Sequence, residues 1–464
     1  MKKSRPPIVT VLGHVDHGKT TLLDAVRKTR VAAKEAGGIT QSIGASVVTT
    51  KENKKITFID TPGHVAFSQM RSRGAKVADI AILVVAADDG VKPQTKEALK
   101  HITQAKIPYI VAITKIDLPN ADVDSVRGQL EKIGVLFEGR GGQVPQLAVS
   151  AKTGEGLEAL LEMVVLVAEV NEIGADAKGE LEAVVIETSK DKRGPVASVI
   201  VRNGTLLVAQ EIVAAGIRAK IKGLFDDRGN RVKKITPGYP GQILGFGELP
   251  PVGSKVGLLG KELEIQRKEK KALERKVKEG EIPLIIKAQT KGSLEAILEN
   301  LSGKAVVISS GVGEVNESDI FLAKPAEAYV FAFETKIPST VAKLAETEGV
   351  SVEKFEVIYK LLERVEELVK KGEKQILGKA KILASFPYNK RKVAGCKVVS
   401  GKINKAEKLI LVRGEEELGE ARAVSMKKQK QDITEAKEGE EFGVILEPQL
   451  DFKIGDMLVS AHNG

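Results

Sequence analysis

The residues best suited by type and spacing to do chemistry lie close to the start of the chain, between Gly13 and Thr20. Their letters, GHVDHGKT, fit the pattern G-x-x-x-x-G-K-[ST], with a strand-like apolar run before them and helical spacing after them. A strand, a glycine-rich turn and a helix start direct several backbone N–H groups at one point, which attracts phosphate. The segment therefore predicts a loop that holds a nucleotide triphosphate.

Within this loop, Lys19 is expected against the β- and γ-phosphates, and the Thr20 hydroxyl is expected on Mg²⁺. The residues predicted to hold the nucleotide here are Gly13, His14, Val15, Asp16, His17, Gly18, Lys19, Thr20 and Thr21.

A second segment with possible chemistry is Asp60-Thr61-Pro62-Gly63, which follows a predicted strand. An aspartate at a strand end can hold Mg²⁺ through water, and Gly63 allows its amide to meet a γ-phosphate. By itself, such a segment is equally typical of a polar turn after a buried strand.

Two later segments are suited to a base. In Thr114-Lys115-Ile116-Asp117, the carboxylate of Asp117 would accept from the N1 and exocyclic amino protons of guanine, and the stem of Lys115 would cover the base. In Ser150-Ala151-Lys152, a backbone amide would meet guanine O6. Four segments in this order, each after a strand, predict a GTP-binding α/β domain with GTP or GDP and Mg²⁺ as its ligands.

Length and composition limit the class of protein. A chain of 464 residues is too long for one core, so about three or four domains are expected. The single cysteine excludes an intramolecular disulfide and indicates a reducing, cytoplasmic setting with an inert thiol. The net charge of +10 favours contact with nucleic acid, although lysine-rich solvated helices would give the same balance. The absence of long apolar runs argues against a membrane protein, and the five histidines show no spacing typical of a metal enzyme.

The pattern of strands and helices predicts a multidomain α/β and β fold. The predicted parts are a P-loop GTPase domain over 1–172, a β-barrel over 173–262, a charged helical connector over 263–281, a small α/β domain over 282–349, a long connecting helix over 350–374, and a C-terminal β-barrel over 375–464.

Further segments carry a family resemblance. The run from Glu35 to Ala45, EAGGITQSIGA, and the run from Asp60 to Ala75 closely resemble the two switch regions of bacterial translation initiation factor two. Gly292–Ala296, with GVG from Gly311 and Glu317-Ser318-Asp319, resembles its third domain. The resemblance covers nearly the whole chain.

The resemblance implies a GTPase that binds formylmethionyl initiator tRNA through its last barrel and promotes joining of the small and large ribosomal subunits. It also implies contact with ribosomal RNA and GTP hydrolysis that the ribosome stimulates. By similarity, Thr40 joins Thr20 and Asp60 around Mg²⁺ in the GTP state, and His64 is the catalytic residue that positions the attacking water. We expect a monomer, in which the connecting helix either carries the switch toward the last barrel or is a stiff spacer.

The chain departs from the family pattern in places. Thr114 stands where the family usually has asparagine, so guanine affinity is expected to fall. In the predicted tRNA site, Gln429 replaces an aromatic residue and Phe442 replaces a cysteine, which is expected to weaken preference for the formyl group. The residues predicted to bind tRNA are Lys427, Lys428, Gln429, Glu441, Phe442 and Gly443.

Members of the family often carry a long N-terminal extension, which this sequence lacks; a naturally short form and a trimmed chain are both compatible with that. Two alternative functions remain at this point. One is a specialised tRNA-delivering factor such as the selenocysteine type, which suits the Thr-Lys-Ile-Asp form but not the Gly-Gly-Ile-Thr-Gln segment. The other is a GTP-dependent RNA scaffold that does not hydrolyse GTP, against which Thr40 and His64 argue.

Overall fold

A computed structural model describes residues 3–27, 29, 40–259, 281–301, 303, 305–372, 375–388, 391–414, 416–429 and 431–462. The chain divides into two compact units. The first comprises most residues up to Leu362, and the second comprises Glu363–Gly464 with the short segments Lys276–Ile282 and Ser302–Val306. The predicted connector over 263–281 lies outside the described residues, apart from Glu281, as does the part of the switch-like segment before Thr40. None of the helices described is long and apolar enough to cross a membrane.

The first part of the first unit is a six-stranded sheet in the order β3-β4-β2-β5-β6-β7, parallel except for the antiparallel edge strand β3. The strands are β2 (Ile8–Gly13), β3 (Gly44–Thr49), β4 (Lys55–Asp60), β5 (Ile80–Ala86), β6 (Tyr109–Thr114) and β7 (Gln146–Ala148). A short strand β1 (Lys3–Ser4) pairs with β8 (Gly174–Ala175).

Among the described residues, the α-helices that accompany this sheet are α1 (Lys19–Arg27), α2 (Ser68–Val77), α3 (Pro93–Ala105), α4 (Val123–Lys132) and α5 (Leu157–Val170). One hydrophobic core joins the sheet to α1 and α5, and another joins it to α3 and α4. Every residue of β2 and β5 is buried, as continuous apolar runs in a sheet covered on both faces should be. The predicted α/β fold, with a mostly parallel sheet covered by helices on both faces, is confirmed.

A β-barrel follows in the chain. Its strands are β9 (Glu182–Asp191), β10 (Gly194–Asn203), β12 (Glu211–Ala214), β13 (Ile217–Phe225), β14 (Arg231–Val232), β16 (Pro240–Phe246) and β17 (Lys255–Leu258). Two short strands, β11 (Leu206–Leu207) and β15 (Lys234–Ile235), pair with each other in a separate sheet. The strand order β12-β17-β9-β10-β16-β13 closes on itself because β13 also pairs with β12. Closure leaves the barrel without exposed sheet edges among these six strands.

The last part of the first unit is a small α/β domain with the sheet order β19-β18-β20-β21. Its elements are β18 (Ile282–Ala288), α6 (Lys291–Asn300), β19 (Ala305–Val312), α7 (Glu317–Ala323), β20 (Tyr329–Phe333), α8 (Ser339–Glu348) and β21 (Val352–Phe355), followed by helix α9 (Ile358–Gly372).

The predicted start of the connecting helix is wrong. Residues Val352–Phe355 form β21, which pairs in parallel with β20, and the helix begins only at Ile358. The apolar spacing of a helix starts only after this strand, while Val352 and Phe355 gain a partner at the edge of the sheet.

The second unit contains the C-terminal barrel. Its strands are β22 (Gln375–Tyr388), β23 (Arg391–Asn404), β24 (Lys408–Arg413), β25 (Glu416–Lys428), β26 (Gln431–Asp432), β27 (Glu435–Lys437), β28 (Glu441–Glu447) and β29 (Met457–His462). The order β22-β29-β24-β25-β28-β23 closes through the pairing of β22 with β23. The predicted second barrel is confirmed.

Candidate nucleotide-binding site

The glycine-rich loop lies between β2 and α1, at the carboxyl end of a central strand. Gly13 is required by close packing, since a Cβ there would fall 2.3 Å from the carbonyl oxygen of Val84. Gly18 has a φ of 83° and Asp16 a φ of 61°, both in the left-handed region, so the chain turns sharply before Lys19 begins the helix. The loop is therefore shaped to present backbone N–H groups at the helix start, as phosphate binding requires.

Lys19 is the charged group at the centre of the site. Its side chain is buried, and Nζ donates to the carbonyl oxygen of His14. Burial lowers the pKa of Lys19 to about 8, against a smaller opposing effect of Asp60. Gly63 lies against this ammonium, because a Cβ built on Gly63 would fall 2.3 Å from Nζ of Lys19. The structure thus brings the backbone of Gly63 and the ammonium of Lys19 together, as expected for two groups that meet the same phosphate.

Oxygen atoms suited to a hard cation lie beside this ammonium. The Oγ1 atoms of Thr20 and Thr40 are 2.9 Å apart, and both residues line the same cavity. Asp60 is buried at the end of β4, with Oδ2 3.9 Å from a guanidinium nitrogen of Arg27. No cluster of three or more His, Cys, Asp or Glu side chains suited to a metal occurs among the described residues. Hydroxyl groups with one nearby carboxylate suit Mg²⁺, which commonly keeps water and substrate phosphates as further ligands.

The base side of the site is formed after β6 and β7. Thr114 donates from Oγ1 to the carbonyl oxygen of His17 at 2.7 Å and so ties the end of β6 to the phosphate loop. Asp117 accepts from the hydroxyl of Ser150 at 2.7 Å, which holds the pKa of its carboxyl below the usual range. The ammonium of Lys152, which is largely exposed, lies 4.0 Å from the same carboxylate. Asp117 is therefore ionised at neutral pH and presents acceptors only.

These groups surround one cavity of about 400 Å³. Most of the predicted nucleotide residues line it: Val15, Asp16, Gly18, Lys19, Thr20, Thr21, Gly63, Thr114, Lys115, Asp117, Ala151 and Lys152, together with Thr40 and His64. The predicted residues that do not line it are Gly13, His14, His17, Asp60 and Ser150. Three of these residues hydrogen-bond to residues that do line the cavity. His14 accepts from Lys19, His17 accepts from Thr114, and Ser150 donates to Asp117.

Sequence reasoning missed two residues of the cavity, Leu118 and Tyr359. Leu118 directly follows Asp117, so its place in the cavity could have been predicted from that segment. Tyr359 lies in the first turn of α9, far along the chain, and no local pattern marks it as part of a nucleotide site.

His64 lies at the edge of the cavity and is held by several contacts. Its Nδ1 accepts from the backbone N–H of Ala66 at 3.0 Å, and its carbonyl oxygen accepts from the buried guanidinium of Arg71. The imidazole packs edge-on against Tyr359, with ring centroids 4.0 Å apart. Burial, and secondarily the charge of Arg71, lowers the pKa of His64 to about 4, so the ring is neutral at physiological pH. Because Nδ1 accepts a hydrogen bond, the proton of the neutral ring belongs on Nε2.

The position of Thr114 leads to a prediction about nucleotide affinity. Its single O–H is used on His17, whereas a carboxamide has two donors and an acceptor and can meet both the loop and the base. Thr114→Asn is expected to tighten GDP binding about fivefold, or by about 1 kcal/mol. Displacement of a fluorescent GDP analogue measures this, with Thr114→Val as the matched variant that should bind more weakly. Unchanged affinity in both variants would contradict a role for residue 114 in holding the loop.

A second cavity lies in the C-terminal barrel. Its lining includes all six residues predicted to bind tRNA, namely Lys427, Lys428, Gln429, Glu441, Phe442 and Gly443. Phe442 is buried in the barrel core and faces Cys396 in the register between β23 and β28. Burial raises the pKa of the Cys396 thiol to about 12, which agrees with the inert thiol predicted from the sequence. The cavity also contains the exposed apolar side chains of Leu383 and Phe386, which sequence reasoning missed.

The lysines of this second cavity have acidic neighbours. Nζ of Lys428 lies 2.7 Å from Oε1 of Glu440, and Nζ of Lys427 lies 3.7 Å from Oδ1 of Asp432. Lys397, on the strand opposite, lies 3.7 Å from Glu441. A ligand that binds these lysines has to compete with exposed ion pairs, which are individually weak.

The fold and the first site define a P-loop protein that binds guanine nucleotide. Family models match three parts of the chain: the elongation factor Tu GTP binding domain over residues 4–170, elongation factor G domain 2 over 180–257, and translation-initiation factor 2 over 261–366. The protein is thus a translational GTPase.

Whole proteins match as well. Translation initiation factor IF-2 of Caldanaerobacter subterraneus subsp. tengcongensis is 43% identical over 98% of this chain and 69% of that protein. The factor of the same name from Halothermothrix orenii is 43% identical over 98% of this chain and 71% of that protein. The chain belongs to the translation initiation factor IF-2 family. Among solved structures, GDP-bound aIF5B from Aeropyrum pernix covers 99% of this chain and 92% of that chain, with 30% identity and a TM-score of 0.46.

Family membership decides between the functions left open by the sequence. The predicted GTPase activity is confirmed, and a scaffold that does not hydrolyse GTP is excluded. The matches to initiation factors likewise favour an initiation factor over a tRNA-delivering factor of the selenocysteine type.

Proposed function

We propose that this chain acts in the cytoplasm as a monomeric initiation factor on the ribosome. In this proposal it binds formylmethionyl initiator tRNA and ribosomal RNA, promotes joining of the small and large subunits, and hydrolyses GTP once the ribosome completes the site. The supporting observation is the 43% identity to translation initiation factor IF-2 over 98% of the chain, which includes the C-terminal barrel as well as the GTPase domain.

In the proposed mechanism, Lys19 and the backbone of the loop hold the β- and γ-phosphates, and Gly63 approaches the γ-phosphate beside Lys19. Thr20 and Thr40, with Asp60 nearby, would hold Mg²⁺, which when bound would neutralise negative charge on the phosphates. Asp117 selects guanine, and Lys115, Ala151 and Lys152 complete the base pocket.

His64 is proposed as the catalytic residue that orients the attacking water. Its tautomer limits what it does there, because Nδ1 already accepts from Ala66 and Nε2 carries the proton. In this state the ring donates a hydrogen bond to the water oxygen and does not remove a proton. Its low pKa keeps the ring in this neutral form throughout the physiological range.

The proposed tRNA site is the cavity of the C-terminal barrel, within residues 375–464. Lys427 and Lys428 supply positive charge suited to phosphates, while Leu383 and Phe386 supply exposed apolar surface next to it. Basic groups beside an apolar surface match the chemistry of an aminoacylated tRNA end, which carries phosphates, an aromatic base and the methionyl side chain.

The proposal is tested by filter binding of the GTP-loaded protein to formylmethionyl initiator tRNA, methionyl initiator tRNA and elongator aminoacyl-tRNAs across a salt series. Clear preference for the two initiator species supports the proposal. Equal and steeply salt-dependent binding of all three would mean that phosphate contacts dominate, and would contradict a specific initiator site.

A substitution at Phe442 tests how this cavity reads the formyl group. The ring occupies the position where the family pattern has a small thiol, and it is almost wholly buried against the barrel core. Phe442→Cys is expected to increase the ratio of formylated to unformylated affinity by about fivefold, because the cavity deepens beside Lys427 and Lys428.

The same variant is expected to lower the free energy of unfolding by about 3 kcal/mol, since a buried ring is lost. Thermal denaturation therefore accompanies the binding assay to show that the barrel is folded. A folded variant with an unchanged ratio would contradict the role assigned to Phe442.

A further inference from the structure

The first turn of α9 contacts the nucleotide site from outside the GTPase domain. Tyr359 lines the cavity together with Lys19, Thr20 and Gly63. Its ring meets the imidazole of His64 edge to face, with centroids 4.0 Å apart and planes at 89°. This geometry is a favourable aromatic arrangement and restricts rotation of the imidazole about its side-chain bonds.

A second contact fixes the same turn of α9 to the segment that carries Thr40. Gln41 is buried, with 3% of its surface exposed. Its Oε1 accepts from the backbone N–H of Ile358 at 3.0 Å, and its Nε2 donates to the carbonyl oxygen of Glu356 at 2.7 Å. A backbone donor and a backbone acceptor together determine which end of the carboxamide is oxygen and which is nitrogen.

The contact with Ile358 has the character of a helix cap. The first N–H groups of a helix lack partners within the helix, and side-chain oxygens commonly satisfy them. Here the oxygen comes from Gln41, which is 317 positions away in sequence. Further contacts hold Gln41 in place, from Nε2 to Oε1 of Glu334 at 3.0 Å and from the Ser293 hydroxyl to the Gln41 carbonyl oxygen at 3.3 Å.

Through these two contacts, the start of α9 touches both of the segments that resemble switch regions. Gln41 is the residue directly after Thr40, whose hydroxyl lies beside that of Thr20. Tyr359 is the residue directly after Ile358, which Gln41 caps. A displacement of the Thr40 segment that keeps these hydrogen bonds therefore moves the start of α9, and with it the ring that packs on His64.

We propose that Tyr359 is a positioning residue for His64, and that Gln41 fixes it in register with Thr40, so that the imidazole is correctly oriented only when the Thr40 segment is in place. This inference rests on the proposed role of His64 in hydrolysis. Tyr359 touches neither a reacting atom nor the phosphates in this proposal; its ring acts through His64.

The test uses the full chain with ribosomes and measures GTP turnover under multiple-turnover conditions. Tyr359→Ala is expected to lower kcat about tenfold with KM for GTP little changed, because orientation and not nucleotide binding is lost. Tyr359→Phe keeps the ring and is expected to restore the rate. Lys360→Ala, at the neighbouring exposed position on the same turn, is the matched control for effects on the helix itself.

A second readout reports on the position of His64 without depending on turnover. NMR signals of the His64 ring in the protein bound to a non-hydrolysable GTP analogue are expected to shift and broaden in Tyr359→Ala, and to remain close to wild type in Tyr359→Phe. Gln41→Ala is expected to produce the same changes in the His64 signals, since it removes the cap that fixes the turn.

The outcomes separate this inference from the proposed role of His64. If His64→Ala lowers turnover while Tyr359→Ala leaves both turnover and the His64 signals unchanged, the inference is overturned and the role of His64 stands. If His64→Ala leaves turnover unchanged, that role fails, and the NMR signals alone decide whether Tyr359 positions the ring. Faster turnover in Tyr359→Ala would show that the ring obstructs His64, and would also overturn the inference.

In a double-mutant cycle, Tyr359→Ala is expected to have no further effect on turnover once His64 is alanine. An additional loss in that background would show that Tyr359 acts elsewhere in the site, which contradicts the inference.

Discussion

Asp117→Asn is expected to change the preferred nucleotide of this protein from GTP to xanthosine triphosphate. The carboxylate of Asp117 is held ionised by the hydroxyl of Ser150, so it presents acceptors to the two donor groups of guanine. A carboxamide places a donor against one of those donors, whereas xanthine has a carbonyl oxygen at that position. GTP affinity should fall at least 100-fold, or by about 3 kcal/mol, while affinity for the xanthine nucleotide rises.

Competition between the two triphosphates for the fluorescent analogue measures this switch. Asp124→Asn is the matched control, because that aspartate is largely exposed and pairs with Arg127 in the adjoining helix turn. Loss of affinity for both nucleotides in Asp117→Asn would mean that Asp117 matters only for holding Ser150, and would contradict its assignment as the base-reading residue.

Lys19→Met is expected to weaken GTP binding strongly while making the nucleotide-free protein more stable. The ammonium of Lys19 is buried with 6% of its surface exposed, and burial lowers its pKa from 10.5 to about 8. Keeping this group protonated inside the protein costs about 3 kcal/mol, as an upper limit, relative to the unfolded chain. Methionine removes that cost, and the loss of phosphate contacts should weaken GTP binding at least 100-fold.

The destabilisation caused by burying Lys19 is expected to decrease as pH rises. Below about pH 8 the lysine is protonated in both the folded and the unfolded chain, so its full cost is present. Between about pH 8 and 10.5 the unfolded chain binds the proton more strongly, so the stability of the wild type rises toward that of Lys19→Met.

Chemical denaturation of both proteins across this pH range measures the difference. Lys51→Met, at a largely exposed lysine, is the matched control and should show no such trend. A variant that is less stable than wild type at neutral pH, with a difference that does not change with pH, would contradict the assigned cost of burying Lys19.

The sequence was most informative where local pattern and chemistry coincide. Strands such as β2 and β6 are apolar runs bounded by polar turns, and the phosphate loop and the first base segment follow directly after them. For this reason the GTPase fold and most of the cavity lining could be predicted. The closed barrels were also predicted, since short strands between turn residues are typical of them.

What escaped prediction depends on contacts between distant segments. Strand β3 was missed because it is only half-buried at the sheet edge and is defined by its antiparallel pairing with β4. Tyr359 was missed because its role arises from the approach of α9 to His64, and the start of that helix was placed too early. Local periodicity contains no information about either contact.

Because Cys396 is buried opposite Phe442, its reactivity in the wild-type protein reports how often the surrounding strands open. It is the only cysteine, its side chain has 2% of its surface exposed, and a thiol with a pKa near 12 forms almost no reactive thiolate. A thiol reagent therefore reacts mainly with molecules in which β23 has separated from β22 or from β28. The labelling rate of the unmodified protein consequently measures how often the C-terminal barrel opens, without any engineered probe.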